Sequence, residues 1–304
     1  MLVKTIPLIF YFLVHLLIGY STSFQPLNFR VKSFRHSVSF LPEKAHDLDT
    51  IHDEIPHLAF LGGGIFFYWQ AGVITYMREQ GYDLSEASST GASAGALAAT
   101  LTACDVDFYE ATDLALQMAR DAGVWDRSGG LQGIWGPMIR DWLDILLPQD
   151  AVLRMNNTSL LVTPIPQFGK QRISTYTDRQ DVIDCNMASV HLPLFLDGKW
   201  AAQFRSGPYV DGSFLSNQAD YEPTNNRETL YLSHRNDERY RAKGLLSFVN
   251  AVNPEGIYEM IEDGKAYAKI LDEQGCLSKF PRTRPSILRR DKLEVPNEMQ
   301  RGRK

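Results

Sequence analysis

The chain of 304 residues is 44% hydrophobic and 22% charged, a make-up that fits one large globular domain with tails and excludes disorder throughout. Its formal net charge of −5 is unevenly spread: residues 277–304 carry nine Lys/Arg against three Asp/Glu and residues 1–45 five against one. The middle is therefore acidic, which argues against nucleic acid as the main partner, because phosphate binding needs a basic face on the folded part.

Residues 1–23 read as a signal peptide: Lys4 precedes the apolar run Ile6 to Tyr20, too short for a comfortable membrane span, and Ser21, Thr22 and Ser23 follow it. An uncleaved anchor is the other reading of that run. Residues 24–45 are rich in Ser, Phe, Arg and Lys, with Glu43 their one acidic residue, the composition of a transit peptide. Signal, then Phe24-Gln25-Pro26, then a basic segment resembles the bipartite plastid presequence of diatoms and related algae. Entry into the secretory route and delivery to such a plastid are the expectation, with the endomembrane system or secretion as the alternative.

Residues 46–276 are expected to form the folded domain, and 277–304, with Pro281, Pro285 and many Arg, a basic disordered tail. From His57 onward short apolar runs alternate with helical periodicity, the pattern of an α/β domain with a largely parallel sheet. Leu58 to Leu61 predicts a strand ending in Gly62-Gly63-Gly64, then a helix to Glu79 stopped by Gly81. Ser88 to Gly91 and the alanine-rich stretch Ser93 to Ala103 repeat the scheme. Phe108, Ala111, Ala115, Met118 and Ala122 share one helix face; Met138, Trp142, Ile145 and Leu146, after Pro137, share another. Both read as core stripes. Leu160 to Val162 and Ile173 to Thr177 predict strands, Asp178 caps a helix to about Ser189, Thr229 to Leu232 predicts a last strand, and Asn253-Pro254 opens a helix toward Gly275.

Chemistry concentrates in three places. Gly91-Ala92-Ser93-Ala94-Gly95 matches G-x-S-x-G, which sets a serine on a tight turn between strand and helix. The glycines avoid a collision of backbone with backbone, and the helix N-terminus favours negative charge, with the Ala94 N–H available to an oxyanion. Gly62, Gly63 and Gly64 offer further backbone N–H groups directly after a strand. A nucleotide cradle is the poorer reading of them, since Phe66-Phe67 stands where a dinucleotide motif needs its third glycine. Asp211-Gly212 follows Tyr209-Val210, placing a carboxylate at a strand end; with the two glycine motifs upstream, Asp211 becomes the general base for Ser93. The aromatic run Ile65 to Trp69 is either the buried start of a helix or an apolar wall for an acyl chain or lipid surface. Cys104, Cys185 and Cys276 lack any metal-ligand spacing and no HExxH pair occurs, so no metal site is visible.

His57 to Gly64, the Gly91 to Gly95 elbow, Ala188-Ser189 through Pro193 to Phe195, Val210-Asp211-Gly212 and Asn217 together resemble the patatin-like phospholipases, most closely their adiponutrin-like neutral lipase branch. The resemblance implies a three-layer α/β domain with a mainly parallel central sheet and a dyad of Ser93 as nucleophile and Asp211 as base. It further implies an oxyanion hole from Gly62, Gly63, Gly64 and Ala94, and hydrolysis of phospholipid, galactolipid or triacylglycerol at a membrane or lipid-droplet surface without metal or cofactor. Two positions depart from the family: Phe66-Phe67 replaces the usual Arg-Gly, and Ser213 the usual Gly or Ala. Two other readings stay open. One is a Ser-His-Asp hydrolase using His234, which lies in the polar stretch Ser233 to Asp237 and reads as solvated. The other is a non-catalytic lipid-binding protein that kept the fold.

Overall fold

A computed structural model of the chain describes residues 55–225, 227–241 and 252–283. In chain order its strands and longer helices are β1 (His57–Phe60), α1 (Phe67–Glu79), β2 (Ser89–Ala92), α2 (Ala94–Ala103), α3 (Phe108–Asp121), α4 (Trp135–Leu146), β3 (Thr158–Pro164), β4 (Gln171–Ile173), α5 (Arg179–Ser189), β5 (Ala202–Phe204), β6 (Gly207–Val210), β7 (Thr229–Leu232) and α6 (Pro254–Glu273). The sheet runs β5-β6-β3-β2-β1-β7, with β4 paired to β3 outside that path. Its centre is parallel: β1 pairs with β2 and β7, and β2 with β3. The edge is antiparallel, β4 and β6 on β3 and β5 on β6. This is the expected α/β domain with a mainly parallel central sheet and helices around it.

Strand alternation sorts the core into two faces. Leu58, Phe60, Leu160, Val162, Leu230 and Leu232 enter the main core with the helices. Ala59, Leu61, Ala92 and Leu161 form a smaller cluster closed by Tyr221. Both sides of the central strands are thus covered, which is why β1 and the middle of β3 read as apolar runs.

Helix starts follow local chemistry. Asp107 caps α3 through the N–H groups of Tyr109 and Glu110, Asp178 caps α5 through Asp181, and Asn253 caps α6 ahead of Pro254. Three expectations need correction. The strand foreseen at Ile173 to Thr177 is Gln171–Ile173, because the Thr177 N–H already donates to the Asp181 carboxylate and the Asp178 carboxylate accepts the Asp181 N–H as the entrance to α5. Ile145 does not join the core stripe of α4 but stands 63% exposed; Ile139, Trp142 and Leu143 face inward instead, and two residues on from Leu143 lies roughly 200° round the helix. The folded body does not end at Cys276: Leu277 and Phe280 are buried, the Asp83 N–H donates to Pro281 O, and Tyr82 bridges Arg282. Residues 277–283 are thus part of the body, and the rest of the basic tail, like the signal and transit segments, lies outside the described residues. Among the described residues no helix is long and apolar enough to cross a membrane.

Candidate active site

The elbow is built by steric necessity. A Cβ on Gly91 would stand 2.4 Å from Gly95 O, and one on Gly95 2.1 Å from Phe60 O, so β2 passes too close to α2 for a side chain at Gly91, and α2 too close to the end of β1 for one at Gly95. Between them Ser93 sits at φ 56°, ψ −131° as the cap of α2, a left-handed conformation for a non-glycine residue and the kind of strain that collects at reacting centres. The turn is pinned from outside by Ser189 at the end of α5, whose Oγ accepts the Ser93 N–H at 3.0 Å and donates to Leu161 O at 2.7 Å.

The same segment fixes the carboxylate. The Asp211 N–H donates to His191 O at 2.9 Å and the Gly212 N–H to Ser189 O at 2.8 Å. A Cβ on Gly212 would meet Leu161 O at 1.9 Å, so this glycine answers a close approach to β3. Thr163 Oγ1 donates to Asp211 O at 2.9 Å and itself receives Lys170 Nζ at 2.8 Å. Held this way, Asp211 accepts the Ser93 hydroxyl on Oδ2 at 2.6 Å. Its other oxygen, Oδ1, takes the Ser213 N–H at 2.8 Å and the Ser213 hydroxyl at 2.6 Å. Burial raises the Asp211 carboxyl above its ordinary range, opposed by the bonds from Ser213 and Ser93 and by the Lys170 charge. Burial in turn lowers Lys170 to about 8, against the pull of Asp211 and Asp220.

The glycine loop closes the site from the β1 side. Gln70 Nε2 donates to Leu61 O and Leu232 O, each at 2.8 Å, tying the end of β1 to β7. Gly62 follows at once, and a Cβ there would lie 3.2 Å from Ser93 Cβ and 2.5 Å from Ser213 Cβ. The Tyr221 hydroxyl lies 3.3 Å from Ser216 Oγ, and burial raises its phenol to about 12. Gly64, Ser93 and Ala94 border one apolar cavity that opens to solvent at its mouth. Ile65, Tyr68, Leu97, Leu116, Trp135 and Trp142 form its wall. Within the aromatic run Ile65, Phe67 and Tyr68 face the cavity, while Phe66 and Trp69 are buried elements of the main core.

His234 is not the solvated loop histidine that its neighbours imply. Its ring stacks on Phe66, centroids 3.8 Å apart and 13° from parallel, and its Nδ1 stands 3.0 Å from where a Gly63 Cβ would be. Burial, with Arg235, lowers it to about 3, so it is neutral at physiological pH. The Ser93 hydroxyl is given to Asp211 directly, with no imidazole between. Sequence reasoning assigned no role to Ser189, Gln70 or Thr163; the Ala188-Ser189 segment was the visible signal for the first. Among the described residues no three His, Cys, Asp or Glu side chains converge to hold a metal ion.

The family model for patatin-like phospholipase matches residues 58–220, and a search among curated proteins returns no match. The matched span is more than half of the chain and runs from β1 through the elbow and Asp211 to the turn at Asp220, without singling out the adiponutrin-like branch. On that extent the chain belongs to the patatin-like phospholipase family, whose members are lipid acyl hydrolases.

Proposed function

We propose that the protein hydrolyses fatty-acyl esters of glycerolipids through a Ser93–Asp211 dyad and an acyl-enzyme. The 2.6 Å bond from Ser93 Oγ to a buried carboxylate, at the edge of an apolar cavity, carries the reading. As Ser93 Oγ attacks the ester carbonyl, Asp211 Oδ2 takes its proton, and the developing oxyanion is met by the N–H groups of Gly62, Gly63, Gly64 and Ala94. Asp211 then hands the proton to the leaving alcohol oxygen, and a water deprotonated by Asp211 releases the fatty acid and restores Ser93. All protons move among Ser93, Asp211, substrate and water, so no metal or cofactor enters a step.

Fatty-acid release by the full chain from phospholipid, galactolipid and triacylglycerol, with fluorophosphonate labelling alongside, tests this. Wild type is expected to label and to hydrolyse at least one of the three, Ser93→Ala to do neither, and His234→Ala to keep at least a tenth of the activity. Complete loss in His234→Ala would restore the triad. If wild type and Ser93→Ala behave alike and neither labels, the protein binds lipid without cleaving it.

The lipid surface itself is met, on this reading, by the rim beside Asp211. Phe168 and Leu215 stand 47% and 43% exposed with φ of 54° and 55°, and Phe168 leans on Phe214 at 5.9 Å. Large apolar side chains held outward by strained backbone suit partition into a membrane or lipid droplet. Replacing Phe168 and Leu215 together by Ser is expected to lower activity on vesicles about tenfold, the loss of ~1–2 kcal/mol of apolar contact, and to leave hydrolysis of a soluble short-chain ester within twofold. An equal fall on both substrates would discard the rim. Delivery through the secretory route to a complex plastid is likewise proposed, and a fluorescent fusion of residues 1–60 that stained only the secretory pathway would refute it.

A further inference from the structure

We propose that Ser213, where the family usually has Gly or Ala, is a positioning residue of the dyad: its hydroxyl holds Asp211 Oδ1 so that Oδ2 stays aimed at Ser93. A carboxylate turns about a broad, soft torsion, so an aspartate with a single partner offers either oxygen over a range of angles. Here Oδ1 is held by two donors from one residue, the Ser213 N–H at 2.8 Å and its Oγ at 2.6 Å. The second is as short as the bond from Ser93 to Oδ2 and is charge-assisted. With Gly or Ala at position 213 only the N–H would remain.

The hydroxyl is not needed for the turn itself. Phe214 N donates to Asp211 O at 3.1 Å and Ser216 N to Ser213 O at 3.1 Å, while Ser216 Oγ donates to Ser213 O at 3.0 Å. None of these uses Ser213 Oγ. The side chain also has room made for it: a Cβ on Gly62 would come within 2.5 Å of Ser213 Cβ and 2.7 Å of Oγ. A bare glycine in the oxyanion loop and a serine after Asp211-Gly212 thus form a matched pair.

A positioning role through hydrogen bonding to the charged form has a signature that a merely structural one lacks. The Ser213 hydroxyl favours the ionised Asp211, so its removal moves the acid limb of the reaction to higher pH. The other groups around Asp211 are Lys170 on the loop between β3 and β4, whose charge favours the ionised form, His191 after α5, which burial lowers from the ordinary histidine value, and Tyr221, whose phenol burial raises. Lys170 and Tyr221 do not titrate in the acid range, and His191 is common to wild type and both variants, so the displacement between their acid limbs reports the lost hydroxyl on Asp211.

The inference rests on the dyad reading, and the full chain tests both. Ser213→Ala and Ser213→Gly place residues that the family itself uses, so each is compatible with the fold, and either alone decides the matter. The pH dependence of fluorophosphonate labelling and of kcat/KM on a soluble ester is measured for wild type, both variants and Ser93→Ala. Both variants are expected to shift the acid limb up by about one pH unit, the size of one hydrogen bond to a charged group. Kcat on the plateau should fall severalfold with KM unchanged. An acid limb coincident with wild type in the two variants overturns the role of Ser213 and leaves the dyad intact. Labelling that survives in Ser93→Ala overturns the dyad, and this inference with it.

Discussion

Asp211→Asn is expected to lower kcat for ester hydrolysis by on the order of 10³–10⁴-fold, the upper part of what a positioned general base contributes. The amide keeps the shape of the carboxylate and both of its outer contacts: one oxygen still accepts the Ser213 N–H and hydroxyl, now at 2.8 and 2.6 Å. What it cannot do is take a proton from Ser93. The same substitution should raise the melting temperature at neutral pH. Burial raises the folded-state pKa of Asp211 above its unfolded value, so between the two the unfolded chain ionises first and folding stability falls as pH climbs through the folded pKa. Above that pH the ionised Asp211 is a standing cost, which Asn removes; below the unfolded pKa both states are neutral and the gain should vanish. Kinetics on a soluble ester and thermal melts at neutral and acid pH read the two effects together. A variant with more than a tenth of the wild-type rate would rule out Asp211 as the base, and a lower melting temperature at neutral pH would rule out the burial cost.

The parts of this site that sequence reveals are those where backbone geometry forbids alternatives. Gly91, Gly95 and Gly212 are fixed by approaches of 1.9–2.4 Å to carbonyl oxygens, so they stand out in any reading and carry Ser93 and Asp211 with them. What stays hidden depends on partners distant in the chain. His234 sits among Ser, Arg, Asn and Asp, and nothing local says that Phe66, far upstream, stacks on it. Ala115 and Met118 read as ordinary core, yet they face the cavity beside Ser93, because the same apolar stripe that packs a helix can line a hole in the packing. Leu277 and Phe280 were obscured by the basic residues around them, although two buried apolar side chains are enough to hold that stretch against the body. Ser213 was visible only as a departure; its meaning needed the carboxylate oxygen 2.6 Å away.

Gly95→Ala should cost both stability and function, and for one reason. The added Cβ would stand 2.1 Å from Phe60 O, 2.6 Å from its carbonyl carbon and 2.9 Å from Leu61 O. These are backbone atoms of a central strand, paired to β2 and β7, so no flexible side chain can yield. Relief comes only from pushing the start of α2 away from the end of β1, at about 3 kcal/mol for overpacking of this kind, or a melting temperature lower by roughly 10 °C in a body this size. The displacement runs along the line that joins Ser93 to the Gly62–Gly64 loop, since Leu61 leads directly into it. A shift of ~1 Å between nucleophile and oxyanion donors is expected to lower kcat about 10²-fold, even at temperatures where the variant is fully folded. Gly129→Ala is the control: its nearest neighbour to an added Cβ is Gln132 Cβ at 3.9 Å, ordinary contact, and it should match wild type in both melt and rate. If Gly95→Ala matched it too, the elbow would have to tolerate a wider separation of strand and helix than its geometry implies, and the close packing of β1 on α2 would no longer explain why Ser93 is held where it is.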